Sequence, residues 1–167
     1  MHPEVLTMLD QPENILHEKN ELLVTRFLTS IFKHQITGQE KTALFSNTLM
    51  DTLSCQGFPE FNPQTSTELS GFLNYLLDVF RQPTISINTI TADDTTVLIH
   101  FRIQGNHHEE FMGLTASCGK LLLTAHIRFT LRENKISEIC MYSKHLSLTT
   151  HKGYTYELTN QQDPMPQ

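Results

Sequence analysis

Tryptophan is absent from this 167-residue chain, and cysteine is scarce: Cys55, Cys118 and Cys140 are the only three. An odd count without C-x-x-C spacing excludes a disulfide scaffold and offers no zinc or redox motif, so thiols in a reducing compartment are expected. Runs of Lys or Arg are missing, and the formal net charge is −6. A phosphate-tracking surface is thereby excluded, and no nucleic-acid partner is expected. No apolar stretch approaches the roughly 20 residues that span a bilayer, and Met1 to Asp10 lacks the basic region and apolar core of a signal peptide. A soluble cytoplasmic protein with no membrane partner is expected. Neither a G-x-G-x-x-G loop, a P-loop nor a G-x-S-x-G elbow occurs, and no cofactor is expected.

What the chain does have is a change of hydrophobic period. From about Glu13 to His34, Leu16, Leu23, Val24, Phe27, Leu28, Ile31 and Phe32 recur at three- and four-residue spacing, which predicts a helix with Gly38 beyond its end. A shorter helix is expected from about Glu40 to Phe45, then a loop punctuated by Gly57, Pro59 and Pro63. Thr65-x-x-Glu68 is a capping signal for a third helix carrying Leu69, Phe72, Leu73, Leu76, Leu77 and Phe80, ended by Pro83.

Thereafter the period is two. Ile85, Ile87 and Thr89 lead to a turn at Ala92-Asp93-Asp94, and Val97, Ile99, Phe101 and Ile103 form the next apolar face. Leu121, Leu123, Ala125, Ile127, Phe129 and Leu131 form another, with His126 and Arg128 on the opposite side. Helices first and strands after them specify an α+β fold, N-terminal helices packed in a curved antiparallel sheet. The chain reads as one domain over residues 1–150 and a polar C-terminal tail over 151–167.

Glu133-Asn134 marks a hairpin turn. A two-residue loop pairs Arg132 with Lys135 and Leu131 with Ile136. If the register continues unbroken, Phe129 faces Glu138, Ile127 faces Cys140, Ala125 faces Tyr142 and Leu123 faces Lys144. An apolar face that gains polar groups toward one end has the character of a pocket lining.

The segment Gly105-x-His107-x-x-Glu110-Phe111-x-Gly113, the closing Gly119-Lys120 and the turn Asn134-Lys135-Ile136-x-Glu138 resemble the SnoaL-like polyketide cyclases of the nuclear transport factor 2-like (NTF2-like) superfamily. The resemblance implies a cone whose cavity opens at one end, a hydrophobic small-molecule ligand and a homodimer formed through the outer sheet face. Leu98, Leu122, Ile139 and Met141 are the apolar residues expected there. The sequence departs from the family at Glu109 and Asn134, which replace glycines, and at Cys140 and Lys144, which stand at an aromatic and at the acid/base aspartate.

Three residues are candidates for chemistry. His107, two residues past Gly105, extends the Val97 to Ile103 face and can move a proton near neutral pH. Lys144 can act as a base or form a Schiff base if its amine is unprotonated; otherwise its stem lies on the apolar wall with the ammonium at the rim. Tyr142 is the next polar group on that face. The expected pocket walls are Phe27, Phe72, Leu76, Phe101, Ile103, Phe111, Leu123, Ala125, Ile127 and Cys140. His107-His108-Glu109-Glu110 is no metal site in this reading, because adjacent strand residues point to opposite faces. Two functions fit: a cyclase or isomerase acting on a hydrophobic ketone, and a non-catalytic ligand-binding or dimeric interaction module.

Overall fold

The computed structural model describes residues 12–159. Helix α1 (Pro12–Leu28) runs on as a π-helical turn (Thr29–Lys33), followed by α2 (Gly38–Thr48) and α3 (Ser66–Val79). The strands are β1 (Leu49–Gln56), β2 (Phe80–Ala92), β3 (Thr96–His107), β4 (Lys120–Arg132), β5 (Lys135–Thr149) and β6 (Thr155–Thr159). The readings of Met1 to Asp10 and of residues 160–167 lie outside the described residues.

The cap of α3 forms as its sequence requires. Thr65 Oγ1 accepts from the Glu68 N–H at 3.1 Å, and a Glu68 carboxylate oxygen accepts from the Gln64 N–H at 2.8 Å, a pairing of the kind that stabilises a helix start by about 1 kcal/mol. The stripe Leu69, Phe72, Leu73 and Leu76 is buried. Phe27 meets Phe45 and Phe32 meets Phe101, with ring centroids 5.5 and 5.4 Å apart, tying α1 to α2 and the π-helical turn to β3. Each such ring taken from water contributes about 1.5–3 kcal/mol. Gly38 begins α2 at φ +61°, after the first helical segment has ended.

The sheet order is β1-β5-β4-β3-β2, with β6 also on β5. It is mixed rather than wholly antiparallel, because β1 pairs parallel with β5. β1 occupies a stretch read as connection, and its burial follows no strict alternation. Pro83 lies inside β2, not at the end of α3, at an irregularity between Arg81 and Thr84. β2 is an edge strand, where the missing N–H is tolerated. Thr155–Thr159, within the segment read as a tail, pairs with His145–Thr149. No helix among the described residues is long and apolar enough to cross a membrane.

Candidate functional site

The β4–β5 hairpin decides where the candidate residues go. Its turn is as expected, with Arg132 opposite Lys135 and Leu131 opposite Ile136. Glu133 and Asn134 both have positive φ, 54° and 64°. The register then slips by one residue, so that Thr130 faces Glu138, Phe129 faces Ile139, Arg128 faces Cys140, Ile127 faces Met141 and His126 faces Tyr142. A one-residue slip moves every side chain beyond it to the other face. Ile139 and Met141 therefore join the core, correcting their placement on the outer face. Cys140 and Tyr142 move out of the expected pocket onto the outer side, beside Arg128 and His126.

A second irregularity restores the original sense. Between Thr124↔His145 and His126↔Tyr142 two residues, Ser143 and Lys144, stand against Ala125 alone. Ser143 takes the left-handed conformation, φ 52°, and is exposed, while Lys144 turns inward and is 1% exposed. The ammonium is thus not at a wet rim, as its sequence position suggested. Beyond the bulge, Leu146 and Leu148 face inward against Leu123 and Leu121.

His107 closes the inward face of β3 and is fully buried. Two glycines allow this end of the sheet to close. A Cβ on Gly105 would lie 2.8 Å from the Arg81 carbonyl oxygen, and one on Gly119 would lie 2.5 Å from that of Thr149. The His107 N–H donates to the Gly119 carbonyl, and its own carbonyl accepts from the Cys118 N–H. Its Nδ1 lies 3.1 Å from Ser117 Oγ, which also accepts from the Gly119 N–H. Nε2 has no hydrogen-bond partner of good geometry among the described residues. Burial lowers the imidazole below its ordinary 6.5, outweighing the carbonyls of Glu109 and Leu114, which favour the charged form. The ring is therefore held neutral beneath the 108–119 loop.

That loop is fastened from outside. Tyr75 donates its hydroxyl to the Glu110 carbonyl, and the Met112 N–H donates to Glu60 Oε1. Phe111 is buried against Phe80 and Tyr75, with centroids 5.7 and 6.0 Å apart. Burial, and then the nearby carboxylates Glu60, Glu110 and Glu109, raise the Tyr75 phenol above its ordinary 10.

The three candidate acid/base groups are not brought together. Lys144 is level with Ala125, which pairs with Phe101. His107 is six residues farther along β3, about 20 Å of extended strand. Tyr142 lies on the opposite face and stacks on His126. Burial raises its phenol above the ordinary 10; of its neighbours, Arg128 works against that shift and Cys140 adds to it.

Between helices and sheet lies a cavity of about 30 Å³ whose lining is apolar. Phe27, Leu76, Phe101, Leu123, Ala125 and Ile127 border it, whereas Phe72, Ile103, Phe111 and Cys140 do not. Leu28, Phe32, Phe58, Leu69, Leu73, Phe129, Ile139 and Met141 also border it, beyond the expected walls. Phe129 was within reach of the alternating β4 pattern and the helical residues within reach of the helix stripes, whereas Phe58 comes from a loop and Ile139 and Met141 from beyond the register slip.

No family model matches the sequence, and no curated protein matches it. Solved structures do match. One, from Jannaschia sp. CCS1 and assigned as a SnoaL-like polyketide cyclase, is 15% identical over 79% of this chain and 88% of its own, with a TM-score of 0.63. An NTF2-like protein from Burkholderia xenovorans LB400 is 14% identical over 75% and 89%, with a TM-score of 0.57. An LEH-like epoxide hydrolase from M. tuberculosis is 13% identical over 75% and 83%, with a TM-score of 0.54. At these identities the likeness is one of architecture. This chain has the α+β cone of the NTF2-like proteins, the fold it shares with SnoaL-like polyketide cyclases.

Proposed function

We propose that this chain is a non-catalytic module of the NTF2-like fold that works as a homodimer through the outer face of its sheet. The observation that carries this reading is the filled interior. About 30 Å³ of apolar cavity is far below the roughly 300–1,000 Å³ of small-molecule sites, and none of His107, Lys144 or Tyr142 borders it. An acid/base must reach its substrate within hydrogen-bond distance, directly or through one water.

The outer face supports association. Half-buried Leu98 and Leu122 share it with the rings of His100, His126 and Tyr142, three neighbours across β3, β4 and β5. The His126 ring lies between those of His100 and Tyr142, so the row presents a continuous aromatic strip across the three strands. The cysteines are thiols, in keeping with work in the reducing cytoplasm.

A second reading, an enzyme of the cyclase or isomerase type acting on a hydrophobic ketone, is favoured by one observation, the neutral and buried His107. A thermal-shift and turnover screen against polycyclic ketones, aromatic polyketide esters and steroids separates the two. The module reading expects neither a saturable rise in melting temperature nor product. Saturable turnover of any ketone would sink it.

A further inference from the structure

A groove of about 790 Å³ lies outside the sheet interior, between α2 and the first half of α3, bordered by Leu49, Met50 and Asp51 at the start of β1. That volume is in the range of small-molecule sites. Lys41 reaches across it. Its Nζ donates to Asn74 Oδ1 at 2.6 Å and stands 5.7 Å from the centroid of the Phe45 ring. Thr42, Ser46, Thr67 and Ser70 place hydroxyls along the same walls, and Phe45, Leu49 and Met50 supply an apolar side.

We propose that this groove binds a small monocarboxylate with an apolar body, the carboxylate on the Lys41 ammonium and the body against Phe45, Leu49 and Met50. Burial lowers the Lys41 amine below its ordinary 10.5, so the ammonium is less well hydrated than in water and an arriving anion restores part of what it has lost. Asn74 is neutral and orients the ammonium without cancelling its charge. Lysine offers a point charge rather than a planar fork, which a single carboxylate oxygen satisfies.

The charge of the ligand is set by the walls. Among the described residues, Lys41 is the groove's one cationic side chain, and Asp51 on its β1 border is anionic. A second negative charge on the ligand would meet Asp51 without gaining a second cation. The walls therefore favour a monoanion over a dianionic phosphate. The hydroxyls provide for one or two further polar atoms on the body.

Gly71 supplies a clean means of closing the groove. It lies within α3 on the groove wall, and a Cβ built there meets no atom within 4 Å. A leucine at this position starts from an unobstructed Cβ on the groove wall, takes up space a ligand would occupy, and is a better helix former than glycine.

The test is a titration of the full-length ¹⁵N-labelled protein with sodium phenylacetate at low salt, followed by amide chemical shifts. Saturable shifts are expected at Thr42, Ser46, Ser70 and Gly71. Gly71→Leu and Lys41→Met are each expected to weaken binding by about tenfold or more while keeping the dispersed spectrum of the folded chain. The neutral isostere phenylacetamide and inorganic phosphate are expected to bind more weakly than phenylacetate. Absent or unsaturable shifts overturn the proposal. Equal binding of phenylacetamide, tighter binding of phosphate, or undiminished binding by folded Gly71→Leu overturns it as well.

Discussion

Tyr142 lies nearly flat on His126 across the β4–β5 pair, the ring centroids 5.5 Å apart and the planes 18° from parallel. His126 in turn meets His100 of β3 at 4.7 Å. This row exists because of the slip near the hairpin turn, which carries Tyr142 out of the interior. It gives the outer face the aromatic and half-buried character that subunit interfaces favour.

Replacing Tyr142 with Ala should weaken the proposed homodimer. An aromatic anchor near the centre of an interface typically costs about 2 kcal/mol or more on truncation, which corresponds to about a thirtyfold rise in the dissociation constant. A dilution series followed by light scattering checks it. An unchanged dissociation constant with an intact circular dichroism spectrum would exclude this row from the interface.

The turn at Glu133-Asn134 offers a gain in stability. Both residues hold positive φ, the conformation for which Asn-Gly is preferred in two-residue hairpins. Glu133→Asn together with Asn134→Gly should raise stability by about 1 kcal/mol by relieving left-handed backbone. Urea denaturation with an unchanged m-value is the measure. A loss of stability would contradict the turn geometry.

The thiols should differ in reactivity. Burial, reinforced by Glu68, pushes the Cys55 thiol up to about 12, and Cys140 is also buried, whereas Cys118 is exposed. At about pH 8 native protein should expose one fast-reacting thiol to an aromatic disulfide reagent, because the thiolate is the attacking form. Mass mapping should place it at Cys118, and Cys55 should react only on denaturation.

His107 should make the fold sensitive to acid. Its folded-state value is depressed below 6.5, so the unfolded chain binds the proton more readily. Its contribution is complete above about pH 6.5 and is lost as pH falls from there through the depressed value. Between pH 7 and 5, wild type should lose more stability than His107→Gln, which has no proton to take up. Parallel losses would mean that burial does not oppose the charge at this site.

Much of the fold was legible because its elements repeat at their own periods. Leu69, Phe72, Leu73 and Leu76 mark α3, and Leu121 to Leu131 mark β4 with the inward face that the structure shows. β1 was not legible: Leu49–Gln56 has an irregular burial pattern and pairs parallel with a strand far along the chain. β6 was passed over because Thr-Tyr-Glu-Leu-Thr is only five residues long: Tyr156 and Leu158 do alternate with polar neighbours, but both stay exposed and mark no core face. The side-chain directions along β5 were illegible for a narrower reason. Neither bulge in β5 carries a glycine or proline, the first at Ser137 and the second at Ser143-Lys144, and each reverses the faces of the residues beyond it. His107 was placed correctly on the β3 face, since no slip lies between it and Val97. Its burial beneath the 108–119 loop needed Ser117, Glu60 and Tyr75, which no local pattern joins.

Sedimentation velocity of the wild-type chain at micromolar concentration bears most directly on the proposal that the outer sheet face joins two copies. A single boundary at twice the chain mass, moving toward the monomer on dilution, is the expected result. A monomer throughout that range would contradict it and return attention to the sheet interior and His107.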